Sequence, residues 1–217
     1  MSWWLTKTII YQSILLTGSV TGLIHFKKMD KASKVLVFFI VSTFVAELAA
    51  TFFALKYHNN IFIFHIYNPI QILLLSLYFN FSIEKFHKNN LGLIIGVLAA
   101  SFSVINSLFI QDVFTTFNSN ILIVASFLVI AMCLYSFYDL LLGDDFLDLN
   151  TNSRFWFSAL LLTFWSFTFC YWLVWQALVR PSSANTMWLS VMIWTINIVC
   201  YSGFALVFLS FRKMKKV

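Results

Sequence analysis

One carboxylate in this chain lies where a charge is energetically costly. Glu47 is near the middle of VLVFFIVSTFVAELAATFFALK (residues 35–56), an apolar run whose only other charge is its last residue, Lys56. Placing an ionisable side chain at the centre of a membrane helix costs about 2.5–3.5 kcal/mol on insertion scales, so such a group usually has a partner or a function. Glu47 is therefore the first candidate for a functional residue.

Polar and aromatic side chains in three other apolar segments lie at a depth close to that of Glu47. With about 1.5 Å of rise per residue, counted from the same end of each helix, Glu47 lies about 13 Å deep and Asn197 about 15 Å deep. Together these side chains predict a polar pocket with aromatic walls that binds a small ligand. The full candidate set is Glu47, His65, Asn68, Gln71, Tyr171, Trp175, Asn197 and Tyr201.

Each of these side chains also has a structural interpretation. A lone Asn or Gln in a membrane helix more often bonds a neighbouring helix than a ligand, which is the role we expect for Asn80 and Asn106. For Glu47 the alternative is a protonated carboxyl that bonds a backbone carbonyl, and for His65 it is a structural hydrogen-bond donor. For the tryptophans between residues 165 and 175, we expect core packing or lipid anchoring more than an aromatic cage for a cation.

Asp139 and the acidic stretch at 144–148 are predicted to have structural roles. Asp139, near the end of the fifth apolar segment, is expected to pair with Arg154 or with a lysine at the same end. The acidic stretch at 144–148 lacks the turn glycine and the closing glutamate of an EF-hand, and we interpret it as a solvated loop.

Nothing in the residue pattern indicates an enzyme. The sequence has no GxSxG, HExxH or phosphate-binding glycine loop. His25 and His87 fall near one membrane face and His58 and His65 near the other, so three histidines cannot meet at one metal as in seven-helix hydrolases of the ceramidase type. The last segment has no lysine for a retinal Schiff base. We therefore predict no catalytic residue, metal or cofactor.

The elements that carry these residues are predicted membrane helices. The chain is 61% hydrophobic and only 10% charged, with a mean hydropathy of +0.87, far from the quarter of charged residues that is typical of soluble domains. Short connections leave no soluble domain, so residues 1–217 form one all-α membrane domain. Seven segments are long enough to cross a bilayer: 8–26, 35–56, 61–82, 91–110, 121–142, 155–179 and 187–211.

The basic residues predict the orientation of this seven-helix bundle. Sorted by connection, eleven of them fall on one side and three on the other, so the positive-inside rule places the N-terminus outside and the C-terminus in the cytoplasm. The candidate pocket then opens outward. The net charge of +6 is a topology signal and an attraction to anionic lipid, and no nucleic-acid partner is expected. The minority side carries Lys7, Lys56 and Arg180.

Two glycine pairs predict close helix packing. Gly18 and Gly22 form GSVTG, and Gly92 and Gly96 form GLIIG, each with the small-xxx-small spacing that lets two backbones approach. Packing within the chain is the favoured interpretation, and a seam between two copies is the alternative. Pro69 is the only proline inside a predicted helix, so the several broken helices common in alternating-access carriers are nearly absent.

The segments HIYNPIQILLLSLYF (65–79) and WTINIVCYSGFALVFLSFRK (194–213) resemble those of small bacterial seven-helix membrane proteins with no established activity. The resemblance implies a bacterial inner-membrane protein and the same helix count, and nothing about function.

Two functional hypotheses remain. In the first, the protein is a receptor-like or accessory seven-helix subunit that binds a small ligand or a membrane partner protein in the outward-facing pocket. In the second, it is a small-solute carrier that uses Glu47 as a counter-charge or a proton-coupling site, with aromatic rings as stacking groups.

Overall fold

The computed structural model describes residues 3–142, 149–179 and 187–211, and within these ranges it contains helices and no strand. The acidic stretch at 144–148 and the basic C-terminal residues 212–217 lie outside the described residues, as does Arg180. The α-helices are α1 (Trp3–His25), α2 (Lys31–Tyr57), α3 (Ile61–Ser82), α4 (Glu84–Asn89), α5 (Leu91–Phe109), α6 (Ser119–Leu141), α7 (Ser153–Val174) and α8 (Met187–Ser210).

The seven long helices predicted from the sequence are confirmed, and each is long and apolar enough to cross a membrane. Several bounds differ. The helix α1 begins five residues earlier than expected and α2 four residues earlier, and the last turn of the sixth predicted segment is a π-helix, Trp175–Val179, that follows α7. The six-residue helix α4 was not predicted, because it is too short to show an apolar period.

The turn between α2 and α3 fixes the height of Glu47 relative to α3. The helix α2 begins at the Asp30 cap, whose carboxylate accepts a hydrogen bond from the Ser33 amide at 3.3 Å. It ends at His58, which adopts the left-handed conformation (φ 55°) that terminates helices and is uncommon outside glycine and asparagine. Because only three residues separate the two helices, the second half of α2 runs beside the first half of α3.

Six of the long helices form a closed ring. Going round it, α1 packs against α2, α2 against α3, α3 against α6, α6 against α7, α7 against α8, and α8 against α1. The helix α5 lies outside this ring, mainly against α3. Helices α1, α3, α6 and α8 begin at one end of the bundle, which we call the first end, and α2, α5 and α7 begin at the second end.

Both glycine pairs face helices of the same chain. A Cβ atom built on Gly92 would lie 2.6 Å from the Ser76 carbonyl oxygen, and one on Gly96 would lie 2.8 Å from the Ser76 Cβ. The α3 and α5 backbones are therefore in direct contact along this edge. Gly18 and Gly22 instead face side chains of α2 and α8: the nearest atom to an added Cβ is Ile40 Cγ2 at 3.4 Å for Gly18 and Val37 Cγ2 at 3.0 Å for Gly22.

Aromatic side chains fill the ring near its second end. We call this group the aromatic plug: Phe39, Tyr78, Phe157 and Phe204, each at most 1% exposed. The Phe157 and Phe204 rings stack with centroids 5.9 Å apart, and the Phe39 ring meets the Phe204 ring at 6.3 Å. These side chains therefore form a tightly packed apolar layer across the ring.

The expected ion pair of Asp139 is confirmed. It lies between the aromatic plug and the second end of the bundle. The Arg154 Nη2 atom lies 2.8 Å from Asp139 Oδ2, and the guanidinium also donates to the hydroxyl and the carbonyl of Ser136 at 3.0 and 3.2 Å. Arg154 is buried while a third of the Asp139 side chain is exposed, so the pair links α6 to the start of α7 at the second end.

Candidate functional site

A cavity of about 120 Å³ lies inside the ring, between the aromatic plug and the first end. All six ring helices and the connection before α6 contribute side chains to it, and α5 contributes none among the described residues. We call it the deep cavity. Its lining residues are Tyr11, Thr43, Glu47, Phe64, Tyr67, Asn68, Gln71, Phe117, Leu122, Phe164, Trp165, Thr168, Trp172, Ile193, Asn197 and Tyr201.

A second, larger cavity of about 270 Å³ continues from the deep cavity to the first end of the bundle. We call it the end chamber. The two share four lining residues, which are Tyr11, Glu47, Ile193 and Asn197. The end chamber also reaches Lys7, Asn60 and Ser190 near the helix starts, where Ser190 is exposed. Glu47 therefore lies at the junction of the two cavities.

Glu47 is partly buried and makes no hydrogen bond or ion pair within the part of the chain that the structure describes. The structural role considered for it, a hydrogen bond to a carbonyl, has no counterpart there. Three phenol groups, those of Tyr11, Tyr67 and Tyr201, lie within electrostatic range of its carboxyl. Lys7 lines the end chamber, with Nζ 5.5 Å from the centre of the Trp194 ring. Glu47 is the only acid among the described residues that line either cavity.

The helix α3 presents one continuous stripe to the deep cavity. Phe64, Tyr67, Asn68 and Gln71 recur at three- and four-residue steps, which places them on one face. The Tyr67 hydroxyl is hydrogen-bonded to the Thr43 hydroxyl of α2. Asn68 is 4% exposed and its side-chain nitrogen has no hydrogen-bond partner.

The wall opposite is aromatic. The helix α7 supplies Phe164, Trp165, Thr168 and Trp172, and the Trp172 ring stacks on Phe117 with centroids 4.7 Å apart and planes at 13°. Trp165 is 1% exposed, and its indole N–H has no acceptor among the described residues. The wall therefore combines π faces with one unpaired donor.

Five of the eight predicted site residues line the deep cavity: Glu47, Asn68, Gln71, Asn197 and Tyr201. Tyr171 and Trp175 do not line it, since their rings stack on each other with centroids 6.2 Å apart on a neighbouring face of the helix. The π-helix begins at Trp175, and the wider turn rotates the following side chains away from the α7 stripe.

His65 also does not line the deep cavity. It has the structural role that was considered as the alternative to ligand binding. Its Nε2 atom lies 2.9 Å from the Thr116 carbonyl oxygen and its Nδ1 atom 2.7 Å from the Ser107 hydroxyl. Because a carbonyl only accepts, Nε2 carries a proton and donates to it. His65 thereby ties α3 to α5 and to the connection before α6.

A buried amide network holds that same connection. Asn106 donates to Gln111 Oε1 at 2.8 Å and to Asn118 Oδ1 at 2.6 Å, and Gln176 donates to Asn120 Oδ1 at 2.9 Å. Asn106 Oδ1 also accepts from Asn120 of α6 at 3.2 Å, which confirms the helix-bonding role expected for Asn106. The network fixes residues 111–118 over the first end and so positions Phe117 in the cavity wall. The same expectation is not met by Asn80, whose buried side-chain oxygen has no hydrogen-bond partner in the described chain.

Asp112 stabilises the exposed turn of this connection. Its carboxylate accepts hydrogen bonds from the Thr115 hydroxyl and from the amides of Phe114 and Thr115, each at 2.9 Å. These bonds to the charged form lower the pKa of the Asp112 carboxyl.

Sequence reasoning missed several lining residues on the site's own helices. Tyr11 belongs to α1, where only the packing glycines Gly18 and Gly22 were considered from the sequence. Tyr67 was left out of the candidate set, although it lies three residues after Phe64 on the face that lines the deep cavity. The three- and four-residue spacing of Phe64, Tyr67, Asn68 and Gln71 was the signal that could have found it.

Neither the protein-family models nor the curated proteins nor the solved structures contain a match to this chain.

Proposed function

We propose that this chain is a multi-pass membrane protein that binds a small molecule from the outer side of the membrane, as a receptor-like or accessory subunit. The observation that carries the proposal is the position of Glu47. It is a carboxylate without a hydrogen bond or ion pair in the described chain, and it lies where the deep cavity meets the end chamber. An intramembrane acid in such a place is expected to face a ligand or an ion.

The charge distribution supports an orientation in which the first end faces outward. Lys27, Lys28, Lys31, Lys34, Lys85, Lys88 and Arg154 cluster at the second end, whereas Lys7 and Lys56 lie at the first. By the positive-inside rule the second end faces the cytoplasm. The end chamber then opens to the outside of what we propose is a bacterial cytoplasmic membrane.

The second candidate is a carrier for a small solute. The observation that favours it is the pair of cavities, which together resemble one half of a path through the membrane: open to the first end and closed by the aromatic plug. A carrier in its outward-facing state has this form. The intact ring and the single intrahelical proline, Pro69, support the receptor-like function over this one.

Binding is tested with a matched pair of tryptophan substitutions on α8. Asn197→Trp fills the junction of the two cavities, whereas Val199→Trp adds the same side chain two residues away, where Val199 is 56% exposed on the outer surface. A panel of small amines, alcohols, sugars and carboxylates is screened for compounds that raise the thermal midpoint of the purified protein. We expect hits that act on the wild type and on Val199→Trp and not on Asn197→Trp. Hits that stabilise both variants equally would place binding elsewhere.

Reconstitution into liposomes separates the two functions. Compounds that bind should remain outside protein-containing liposomes if the protein is a receptor-like subunit. Uptake above that of empty liposomes, abolished by Glu47→Gln, would instead establish the carrier.

A further inference from the structure

We infer that the ligand of the deep cavity is a small organic ammonium ion that also carries a hydrogen-bond acceptor, of the amino-alcohol type; this inference rests on the proposed function. Its first basis is charge. Among the described residues that line the two cavities there is one acid, Glu47, and one base, Lys7, which belongs to the end chamber and lies over the Trp194 ring. A bound cation supplies the counter-charge that the deep cavity itself lacks.

The second basis is the aromatic lining around the carboxylate. Rings from four helices and from the connection before α6 surround the space, and the face of a Trp or Tyr ring attracts a cation, most strongly in a desolvated site. A neutral or anionic ligand gains nothing from this term. The rings are those of Tyr11, Phe64, Tyr67, Phe117, Phe164, Trp165, Trp172 and Tyr201.

The third basis is an excess of donors in the wall. The side-chain nitrogen of Asn68 and the indole N–H of Trp165 are buried and have no acceptor in the described chain. A buried donor without an acceptor has lost its hydrogen bond to water and gained none in return, which is energetically unfavourable. A hydroxyl or ether oxygen on the ligand would accept from one of them, which an ammonium group without such an oxygen could not do.

The size of the space limits the cation. An apolar cavity of roughly 150 Å³ accommodates benzene, so the deep cavity of about 120 Å³ accepts a headgroup of a few non-hydrogen atoms. The adjoining chamber of about 270 Å³ leaves room for the rest of a short molecule. Choline, free or as the headgroup of a lipid, has this chemistry and size.

The test compares choline with its uncharged carbon isostere, in which carbon replaces the quaternary nitrogen. Affinities are measured by isothermal titration calorimetry on protein in phosphatidylglycerol nanodiscs, whose lipid carries no ammonium group. We expect choline to bind at least tenfold more tightly than the isostere, and Glu47→Gln to remove that preference. The matched control is Glu84→Gln, the same change at the chain's other glutamate, which is exposed in α4 outside both cavities.

Equal binding of choline and its isostere, or a preference that survives Glu47→Gln, would overturn the inference. So would the absence of any choline binding. If neutral panel compounds still bind and are blocked by Asn197→Trp in that case, the proposed function stands and only the ligand class is wrong. If neither choline nor any panel compound binds, both are wrong.

Two further measurements complete the test. If Glu47→Gln does not purify as folded protein, Asn197→Asp adds a second carboxylate at the junction, and we expect it to tighten choline binding without changing that of the isostere. Unchanged choline affinity in Asn197→Asp would contradict the inference.

Repeating the titration in phosphatidylcholine nanodiscs distinguishes free choline from a lipid headgroup as the natural ligand. Weakened choline binding there identifies the lipid headgroup as the competing occupant, and unchanged binding identifies a free solute.

Discussion

At the scale of the residue, the binding chemistry of the deep cavity is determined by the Glu47 carboxylate and the groups around it. Glu47 has no pairing partner in the described chain, and Tyr11, Tyr67 and Tyr201 approach it from three helices. Phenol groups can donate to a carboxylate and can also present their faces to a cation. In the structure none of these phenols donates to Glu47, so the carboxylate is left for the ammonium ion that we propose as the ligand.

Asp139, unlike Glu47, is paired with a base, and its replacement tests the packing at the second end of the bundle. Asp139→Ala leaves the buried guanidinium of Arg154 with Ser136 as its remaining partner. Breaking a buried ion pair costs about 3–5 kcal/mol, and the partial exposure of Asp139 lowers this to roughly 2–3 kcal/mol. We expect that loss in the free energy of unfolding, measured by steric trapping in detergent micelles.

The double variant Asp139→Ala/Arg154→Met is the control for that measurement. It removes both charges, so it should recover part of the lost stability. A double variant less stable than Asp139→Ala alone would show that Arg154 acts through contacts other than the ion pair.

At the scale of the element, the sequence located the polar helices correctly and their faces only in part. The α2 stripe through Thr43 and Glu47 faces the cavity, because small side chains there leave space for packing against protein. In α3 the face that lines the deep cavity runs through Phe64 and Asn68, and the predicted site residue His65 lies on the neighbouring face. A shift of one residue turns the predicted inward face by 100° around the helix. Bulky aromatic side chains lie on both of these faces of α3, so the apolar pattern did not show which one faces the cavity.

Helical spacing could not predict which side chains after Trp172 line the deep cavity. A regular helix would continue the stripe from Thr168 and Trp172 to Trp175. The π-helix that begins at Trp175 changes the number of residues per turn, and no residue type in this segment specifies where such a turn occurs. The network of Asn106, Gln111 and Asn118 was equally hidden, since it depends on how a connection folds back on the bundle.

The contact between α3 and α5 predicts opposite outcomes for two identical substitutions. Gly92→Ala places a Cβ 2.6 Å from the Ser76 backbone carbonyl, which cannot move without displacing a helix, so we expect a loss of about 1–3 kcal/mol. Gly18→Ala meets only an ordinary contact at 3.4 Å. It should leave stability unchanged or raise it by up to about 1 kcal/mol through helix propensity.

Both alanine variants are compared by thermal midpoint in the same detergent. Equal midpoints would contradict the direct backbone contact of α3 with α5. A dimer seam at Gly92 would instead appear as a change in oligomer mass in Gly92→Ala.

At the scale of the whole molecule, six helices form the ring and two cavities occupy its first half. Composition and hydropathy predicted the seven long helices, because apolar length is the strongest signal that a membrane imposes. The order of helices around the ring and the position of α5 outside it could not be predicted, because they depend on contacts such as those of Gly92 and Gly96. The aromatic plug was also missed, since phenylalanine is equally suited to lipid-facing surface.

The orientation of the molecule is tested by labelling with a membrane-impermeant maleimide. Cys133, Cys170 and Cys200 are first replaced by serine, and Lys56→Cys or Lys85→Cys is added to that background. Both lysines are exposed, at opposite ends of the bundle. In intact cells Lys56→Cys should be labelled, and Lys85→Cys should be labelled only after permeabilisation. The reverse pattern would mean that the end chamber opens to the cytoplasm.

The most direct test of the central claim, that a cavity beside Glu47 is open from the outside, is the reactivity of two positions on α8. Asn197→Cys lies at the junction of the deep cavity and the end chamber, and Phe204→Cys lies about two turns further along, in the aromatic plug. In the same cysteine-free background, an impermeant cationic thiosulfonate is added to intact cells. We predict that Asn197→Cys reacts, that choline slows its reaction, and that Phe204→Cys does not react. An unreactive Asn197→Cys in folded protein would contradict the account, because it would mean that no path from the outside reaches Glu47.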